Sequence, residues 1–353
     1  MKKLNYLLVF SILVLAVFGL IMIYSSSYVW AEYKYHDSFK YLKNQLLFFI
    51  IGIALMFIVS KINYRLYYDK AKLIIIICII LLILVLIPGV GTVRNGSRSW
   101  FGIGSFGIQP SEFTKLGLII FTSKYLTKAK KIIPILLLTF FIFGIIMLQP
   151  DFGTGTIIVM TIMGMLFSSG KMNVKFIFKL VLIGVLGITG LILIAPYRLA
   201  RILSFLDPWS DPLGSGFQII QSLYAIGPGG LFGLGFGNSI QKHFYLPEPQ
   251  TDFIFSIISE EFGFLGILIV ACLFITIIIL GFETAINCND HFGKYLCFGI
   301  IFGFSFQTIM NLMVVVGLIP VTGVTLPFLS YGGSSLLISC LSMGIVLNIS
   351  RFN

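Results

Sequence analysis

The sequence predicts an all-α polytopic membrane protein with ten transmembrane helices. Three observations carry this fold class. Hydrophobic residues make up 58% of the 353-residue chain and charged residues only 10%, with a mean hydropathy of +1.03; a water-soluble domain of this length needs far more polar surface. The apolar residues form continuous runs near the length that crosses a bilayer as a helix, without the alternation of a membrane β-barrel. Basic residues also fall unevenly between the two sides of those runs.

The first run, 5–27, follows Lys2 and Lys3. Its charged start is signal-like, but its apolar stretch is too long and no small-x-small cleavage site follows, so it reads as an uncleaved span. Further runs lie at 44–60, 73–87, 110–124, 132–148, 154–170, 176–197, 253–281, 295–317 and 333–349, the third of them short. With a cytoplasmic N-terminus, the inner segments carry Lys2, Lys3, Lys61, Arg65, Lys70, Lys72, Lys124, Lys128, Lys130, Lys131, Lys171, Lys175, Lys179, Lys294 and Arg351. These are most of the 24 Lys and Arg residues, so both termini are expected inside. The net charge of +11 then reports topology and attraction to anionic membrane lipids, and nucleic acid is a poor partner. The five cysteines show no metal-ligand spacing and read as small apolar packing residues.

Two outer segments are long. One is 88–109, PGVGTVRNGSRSWFGIGSFGIQ. The other, 198–252, is a large extracytoplasmic loop between helices seven and eight, within a single membrane domain spanning 1–353. A loop of that length is functional or disordered, and this one is not of low complexity. QIIQSLYAI (218–226) reads as an amphipathic helix on the membrane surface. GPGGLFGLGFGN (227–238) lacks the strand and helix context of a dinucleotide site; its glycines suit tight turns and close approach of backbone to a ligand.

Three inward-running spans begin with a proline and then an acid: Pro110 with Glu112, Pro150 with Asp151, and Pro249 with Asp252. Proline suits a helix start and an acid suits the macrodipole, so capping alone is one account. The other is that three carboxylates and three helix N-termini converge on one outer cavity. Helix N-termini favour anions such as pyrophosphate, and carboxylates handle protons or a divalent cation.

The stretches GSRSWFGIGSFGIQPSEFTK (96–115), LQPDFGTG (148–155), FLDPWSDPLGSGFQIIQSLYAIGPGGLFGLGFGNS (205–239), QKHFYLPEPQTDFIFSIISEEFGFLG (241–266) and IPVTGVTLPFLSYGGSS (319–335) resemble the shape, elongation, division and sporulation (SEDS) family. The resemblance covers residues 8–350. KHFYLPEPQTDFIF is closer to the division and sporulation branches (FtsW and SpoVE) than to the elongation branch (RodA). The resemblance implies ten spans and peptidoglycan glycosyltransferase activity on lipid II, the undecaprenyl-pyrophosphate-linked disaccharide peptide. It also implies a class B penicillin-binding protein as the transpeptidase partner. On the family pattern the catalytic aspartate falls on Asp252, the outer-loop tryptophan on Trp100, the QPSE-x-x-K acid and base on Glu112 and Lys115, and the QPD acid on Asp151. The chain matches at each of these positions; Phe244 stands where some division members carry an acid.

Lipid II polymerisation is attack of a sugar 4-hydroxyl on the anomeric carbon of a lipid-pyrophosphate-linked donor. A carboxylate in hydrogen-bond reach of that hydroxyl serves as general base, and Asp252 is the expected one. Arg98, Lys115, Arg198, Arg201 and Lys242 are candidate contacts for the departing pyrophosphate. Arg198 and Arg201 equally suit interfacial anchoring, Lys115 a structural pair with Glu112, and Trp100 either sugar stacking or an interfacial belt. Glu260 and Glu261 lie about 12–13 Å deeper along the eighth helix at 1.5 Å per residue and are expected to be structural. No cofactor is certain; a divalent cation, Mg or Mn, is left open. Two rival activities remain, a lipid II flippase and a non-catalytic scaffold for the transpeptidase.

Overall fold

The computed structural model describes residues 5–94, 96–103, 106–128, 131–172, 175–176, 178–179, 182, 184, 187, 189–190 and 205–352. The described elements are α1 (Tyr6–Tyr35), α2 (Lys40–Val59), α3 (Arg65–Leu84), strands β1 (Thr92–Arg94), β2 (Ser97–Ile103) and β3 (Phe106–Ile108), α4 (Pro110–Lys128), α5 (Ile133–Met147), α6 (Phe152–Ser168), α7 (Phe217–Ile226), α8 (Ile254–Ile286), α9 (His291–Val315) and α10 (Gly333–Phe352). Helices α1, α2, α8, α9 and α10 are each long and apolar enough to cross a membrane, and α5 and α6 are shorter apolar helices. The chain is a multi-pass helical membrane protein. Nine of the ten expected spans coincide with described helices; the seventh, 176–197, falls largely outside the described residues.

Helix α3 starts eight residues before the expected run. Arg65, Asp69, Lys70 and Lys72 lie in its first turns and are part of the helix. Helix α1 also runs past Ser25, Ser26 and Ser27 to Tyr35. The three serines are buried, and Ser26 and Ser27 return their hydroxyls to the Ile23 carbonyl. Serine satisfied in this way does not end a helix.

Helix α9 is the centre of the bundle and packs against α8, α6, α4 and α10. Its GIIFG (299–303) has the small-xxx-small spacing that lets helices approach closely. A Cβ on Gly299 would lie 2.6 Å from the sulfur of Met165, and one on Gly303 would lie 3.1 Å from Thr161. Elsewhere α2 packs on α10, α3 on α4, and α1 on α8.

Neither of the two long segments expected outside is irregular throughout. The first folds as an antiparallel sheet in the order β1-β2-β3. It is held down where the Ser97 hydroxyl donates to the Gln149 carbonyl at the mouth of α6. In the second, α7 buries Ile219, Ile220, Ser222 and Ala225. The Ser222 hydroxyl donates to the Val315 carbonyl at 2.7 Å and lies 2.8 Å from Ser256 Oγ, so α7 is docked on α8 and α9.

Helix α8 is broken at Gly263, whose φ of 60° and ψ of −156° suit glycine alone. A break frees backbone groups that apolar surroundings cannot satisfy. The glycine-dense segment 227–238 supplies the partners. Leu234 and Gly235 N–H donate to the Glu260 and Glu261 carbonyls at 2.9 and 3.0 Å; Phe264 and Leu265 N–H donate to the Gly230 and Leu231 carbonyls at 2.9 and 3.1 Å. The close approach expected of these glycines is therefore to the broken helix. A Cβ on Gly233 would fall 2.2 Å from the Glu261 carbonyl oxygen.

Candidate active site

The three proline–acid helix starts fulfil three different roles. Asp151 is a cap: it precedes α6 and accepts from the Thr154 N–H at 3.1 Å. Its other oxygen accepts from Gln109 Nε2 at 2.9 Å and lies 3.5 Å from the Ser111 hydroxyl. Glu112 sits in the first turn of α4 and pairs with Lys115 at 2.8 Å, both side chains nearly enclosed. Asp252 caps nothing: Phe253 is the N-cap of α8, and no side chain bonds that helix start.

Asp252 is held by its backbone. The Asn311 amide donates to its carbonyl at 2.8 Å and to the Val324 carbonyl at 2.7 Å. Two residues earlier, the Gln250 carbonyl accepts from the Tyr331 N–H at 2.8 Å. The carboxylate faces Gly323, where a Cβ would stand 3.8 Å from Oδ2. Gly153, in the first turn of α6, packs on the same segment, and a Cβ there would lie 2.5 Å from the Thr322 carbonyl oxygen. The lead-in to α8, the start of α6, α9 and residues 322–325 thus meet around Asp252.

Electrostatics distinguish the carboxyls. Burial, then the charges of Glu248 and Asp151, pushes Asp252 up to about 7. Asp151 is also raised by burial, against the hydrogen bonds from Thr154 and Gln109 that favour its charged form. Asp252 stays partly exposed, so it can meet a substrate. A carboxyl tuned near neutrality and open on one side suits proton exchange with an alcohol.

Lys115 Nζ also donates to Gln307 Oε1 at 2.6 Å, and Gln307 Nε2 donates to the Thr325 carbonyl at 2.9 Å. The ion pair on α4 is so joined to the segment that backs Asp252. Buried polar atoms without a protein partner flank the same region: Gln149 Oε1, Gln250 Oε1, Asn311 Oδ1 and Thr322 Oγ1. Such atoms are expensive when left unpaired.

The structure does not bring every expected residue to this place. Lys242 is fully enclosed and pairs with Glu261 at 2.9 Å, its ammonium lying 5.0 Å over the Tyr28 ring. Glu261 also accepts from Ser25 at 2.6 Å, and Glu260 from Ser239 at 2.5 Å. Lys242 is thus structural together with the two glutamates, and its charge is not presented to a pyrophosphate. Arg98 and Trp100 are half-buried on β2. Arg94 lies 5.1 Å over the Trp100 ring, and the Thr92 hydroxyl donates to the Trp100 carbonyl at 3.0 Å. Arg198 and Arg201 lie outside the described residues. In YGGSS, Ser334 accepts from the Gln109 N–H at 3.0 Å and donates to the Gly107 carbonyl at 3.1 Å, fixing the entry to α4. Gln307 and Asn311 escaped the sequence reading, although two amides four residues apart in an apolar span are a legible signal of polar contacts between helices. Among the described residues, no three His, Cys, Asp or Glu side chains gather to hold a metal ion.

Fold and site define a class: a helical membrane protein with a near-neutral carboxyl at the mouth of a broken helix. The family model described as "Cell cycle protein", for FtsW, RodA and SpoVE, matches residues 5–353, and the chain belongs to that family. It is 54% identical to stage V sporulation protein E of Bacillus subtilis over 99% of this chain and 97% of that protein. It is 38% identical to the probable peptidoglycan glycosyltransferase FtsW of Geobacter metallireducens over 95% and 92%. Among solved structures it matches a chain of a peptidoglycan synthase complex with a TM-score of 0.83, 30% identity and coverage of 100% and 99%. It also matches the rod shape-determining protein RodA of Thermus thermophilus at 0.73, with 26% identity and coverage of 99% and 98%.

Proposed function

We propose that this protein is a peptidoglycan glycosyltransferase that polymerises lipid II at the outer face of the cytoplasmic membrane, in cell division or sporulation. The observation that carries the mechanism is the uncapped, partly exposed Asp252 with its pKa near 7. The acceptor 4-hydroxyl attacks the anomeric carbon of the donor. Its proton passes to the Asp252 carboxylate as the new glycosidic bond forms. The bond from that carbon to the lipid pyrophosphate breaks, and the pyrophosphate leaves with the electron pair. Direct displacement inverts the anomeric centre. Asp151 and Glu248 keep the Asp252 proton affinity high enough for the transfer.

The topology that accompanies this reading has ten spans, both termini inside, and Asp252 outside. Arg98 and Trp100 on the sheet, with Arg198 and Arg201, remain the proposed substrate contacts. Among the described residues no three His, Cys, Asp or Glu side chains gather to hold a metal ion, and the steps above use the chain's own residues. A class B penicillin-binding protein is the proposed partner, which would crosslink the strands made here.

A flippase reading would look to the break at Gly263, because transporter sites use interrupted helices. Four of the freed backbone groups are already taken by the glycine segment, so the break supports catalysis by holding the tip of α8. The test is polymerisation of lipid II by the purified protein with its transpeptidase, with and without divalent cations. Glycan from the native protein and none from Asp252→Asn supports the reading; full polymerisation by Asp252→Asn overturns the base.

A further inference from the structure

Gln307 and Asn311 lie one helical turn apart on α9, so they share a face, and they are 3% and 1% exposed. An amide carries two N–H donors, and Asn311 directs its nitrogen at two carbonyls, Asp252 at 2.8 Å and Val324 at 2.7 Å. The opposite amide orientation would set its oxygen against both. Gln307 holds the next carbonyl, Thr325, at 2.9 Å, and takes Lys115 on its oxygen at 2.6 Å. Consecutive carbonyls of one segment are therefore gripped by consecutive turns of the central helix. Gly323, beside the first of them, has a φ of +71° and backs the Asp252 carboxylate.

We propose that Asn311 is a positioning residue for Asp252, tying the backbone of the base to the segment that backs its carboxylate, and that Gln307 locks the same segment to Lys115. The inference rests on the reading of Asp252 as general base. Placement at this scale matters, because a misplacement of about 1 Å costs about 10²-fold in rate. Among the described residues, the charges that raise Asp252 are those of Glu248 and Asp151; Asn311 is uncharged and reaches Asp252 through the backbone carbonyl, so it acts on geometry and solvent access.

The experiment compares Asn311→Leu, Asn311→Gln and Gln307→Met with the native protein, each full-length with its transpeptidase and supplied with lipid II. Asn311→Leu keeps the approximate shape, removes both N–H donors and adds no charge beside Asp252; Asn311→Gln keeps the amide donors on a longer side chain. The expected result for Asn311→Leu is a kcat lower by about 10²-fold, with KM unchanged within about threefold. The acid limb of the pH profile is expected to move below the native one, as the loosened carboxylate gains water. Asn311→Gln recovers part of the rate, and Gln307→Met loses less than Asn311→Leu. If Asn311→Leu does not fold, Asn311→Gln carries the same readouts. Native kcat in Asn311→Leu overturns the proposal, and so does a loss that follows the melting temperature with an unmoved pH limb. A native protein that makes no glycan refutes the functional reading instead. If the native protein is active, Asp252→Asn is inert and the Asn311 variants are unaffected, only the positioning role fails.

Discussion

Replacing Asp252 by Asn separates two properties of one carboxyl. In the native protein, burial and two neighbouring acids push this group from 3.8 up to about 7. As a base it acts only when ionised, so the rate falls as pH drops through about 7. At one pH unit below that point the ionised fraction, and with it kcat/KM, is about tenfold below the plateau. Asn cannot take the proton, and the expected loss is about 10²–10⁴-fold on the plateau above about pH 7, narrowing at lower pH as the native rate itself falls. Stability moves the other way. A folded-state pKa above the unfolded value means a stability contribution that is complete below pH 3.8 and lost as pH rises through about 7. A shift of that size separates the two protonation states by about 4 kcal/mol, part of which solvent at the open side screens. Asp252→Asn should therefore melt higher than the native protein at about pH 8, by a smaller margin at about pH 5, and level with it only below about pH 3.8. Lipid II polymerisation from about pH 5.5 to 8.5, with thermal unfolding in the same detergent, measures both. A flat native profile, or an Asn variant that melts lower at about pH 8, would refute the reasoning.

Asp151→Asn keeps a competent cap on α6 but removes one of the charges that raise Asp252, so the acid limb should move below about 7; an unmoved limb shows the two acids do not couple. Lys242→Met strands a buried Glu261 carboxylate and should cost about 3–5 kcal/mol, read as lost detergent-stable protein. A raised KM for lipid II with unchanged melting would return Lys242 to substrate binding. Gly263→Ala would set a Cβ 2.4 Å from the Gly233 nitrogen at a φ of 60°, destabilising by about 2–3 kcal/mol, visible as a lower unfolding temperature.

The helices were legible because apolar runs of spanning length admit few other structures. Their ends were less so: Arg65 to Lys72 looked like a loop by charge, yet polar residues tolerate the first turns of α3. Asp252, Asp151, Glu112 and Lys115 stood out as ionisable groups at the mouths of spans, and the structure gathers them around residues 322–325. Lys242 misled because a cation in an outer loop looks available for an anion. Only the fold shows Glu261 reaching it across 19 residues. The glycine segment was ambiguous for a similar reason. Its purpose depends on the break at Gly263, and the flanking run carries no proline to announce one. The sheet at 92–108 was hidden by its short strands.

The interruption at Gly263 has a mechanical consequence. Above it, Ile254–Phe262 is fastened sideways: Glu261 to Ser25 of α1, and the Ser256 hydroxyl beside Ser222 of α7. Below it, the longer portion of α8 packs along α9. A continuous rod would swing its tip whenever the bilayer thinned, thickened or tilted it. A jointed one absorbs that lean at the joint, and the end beside Asp252 keeps its register with the first helix.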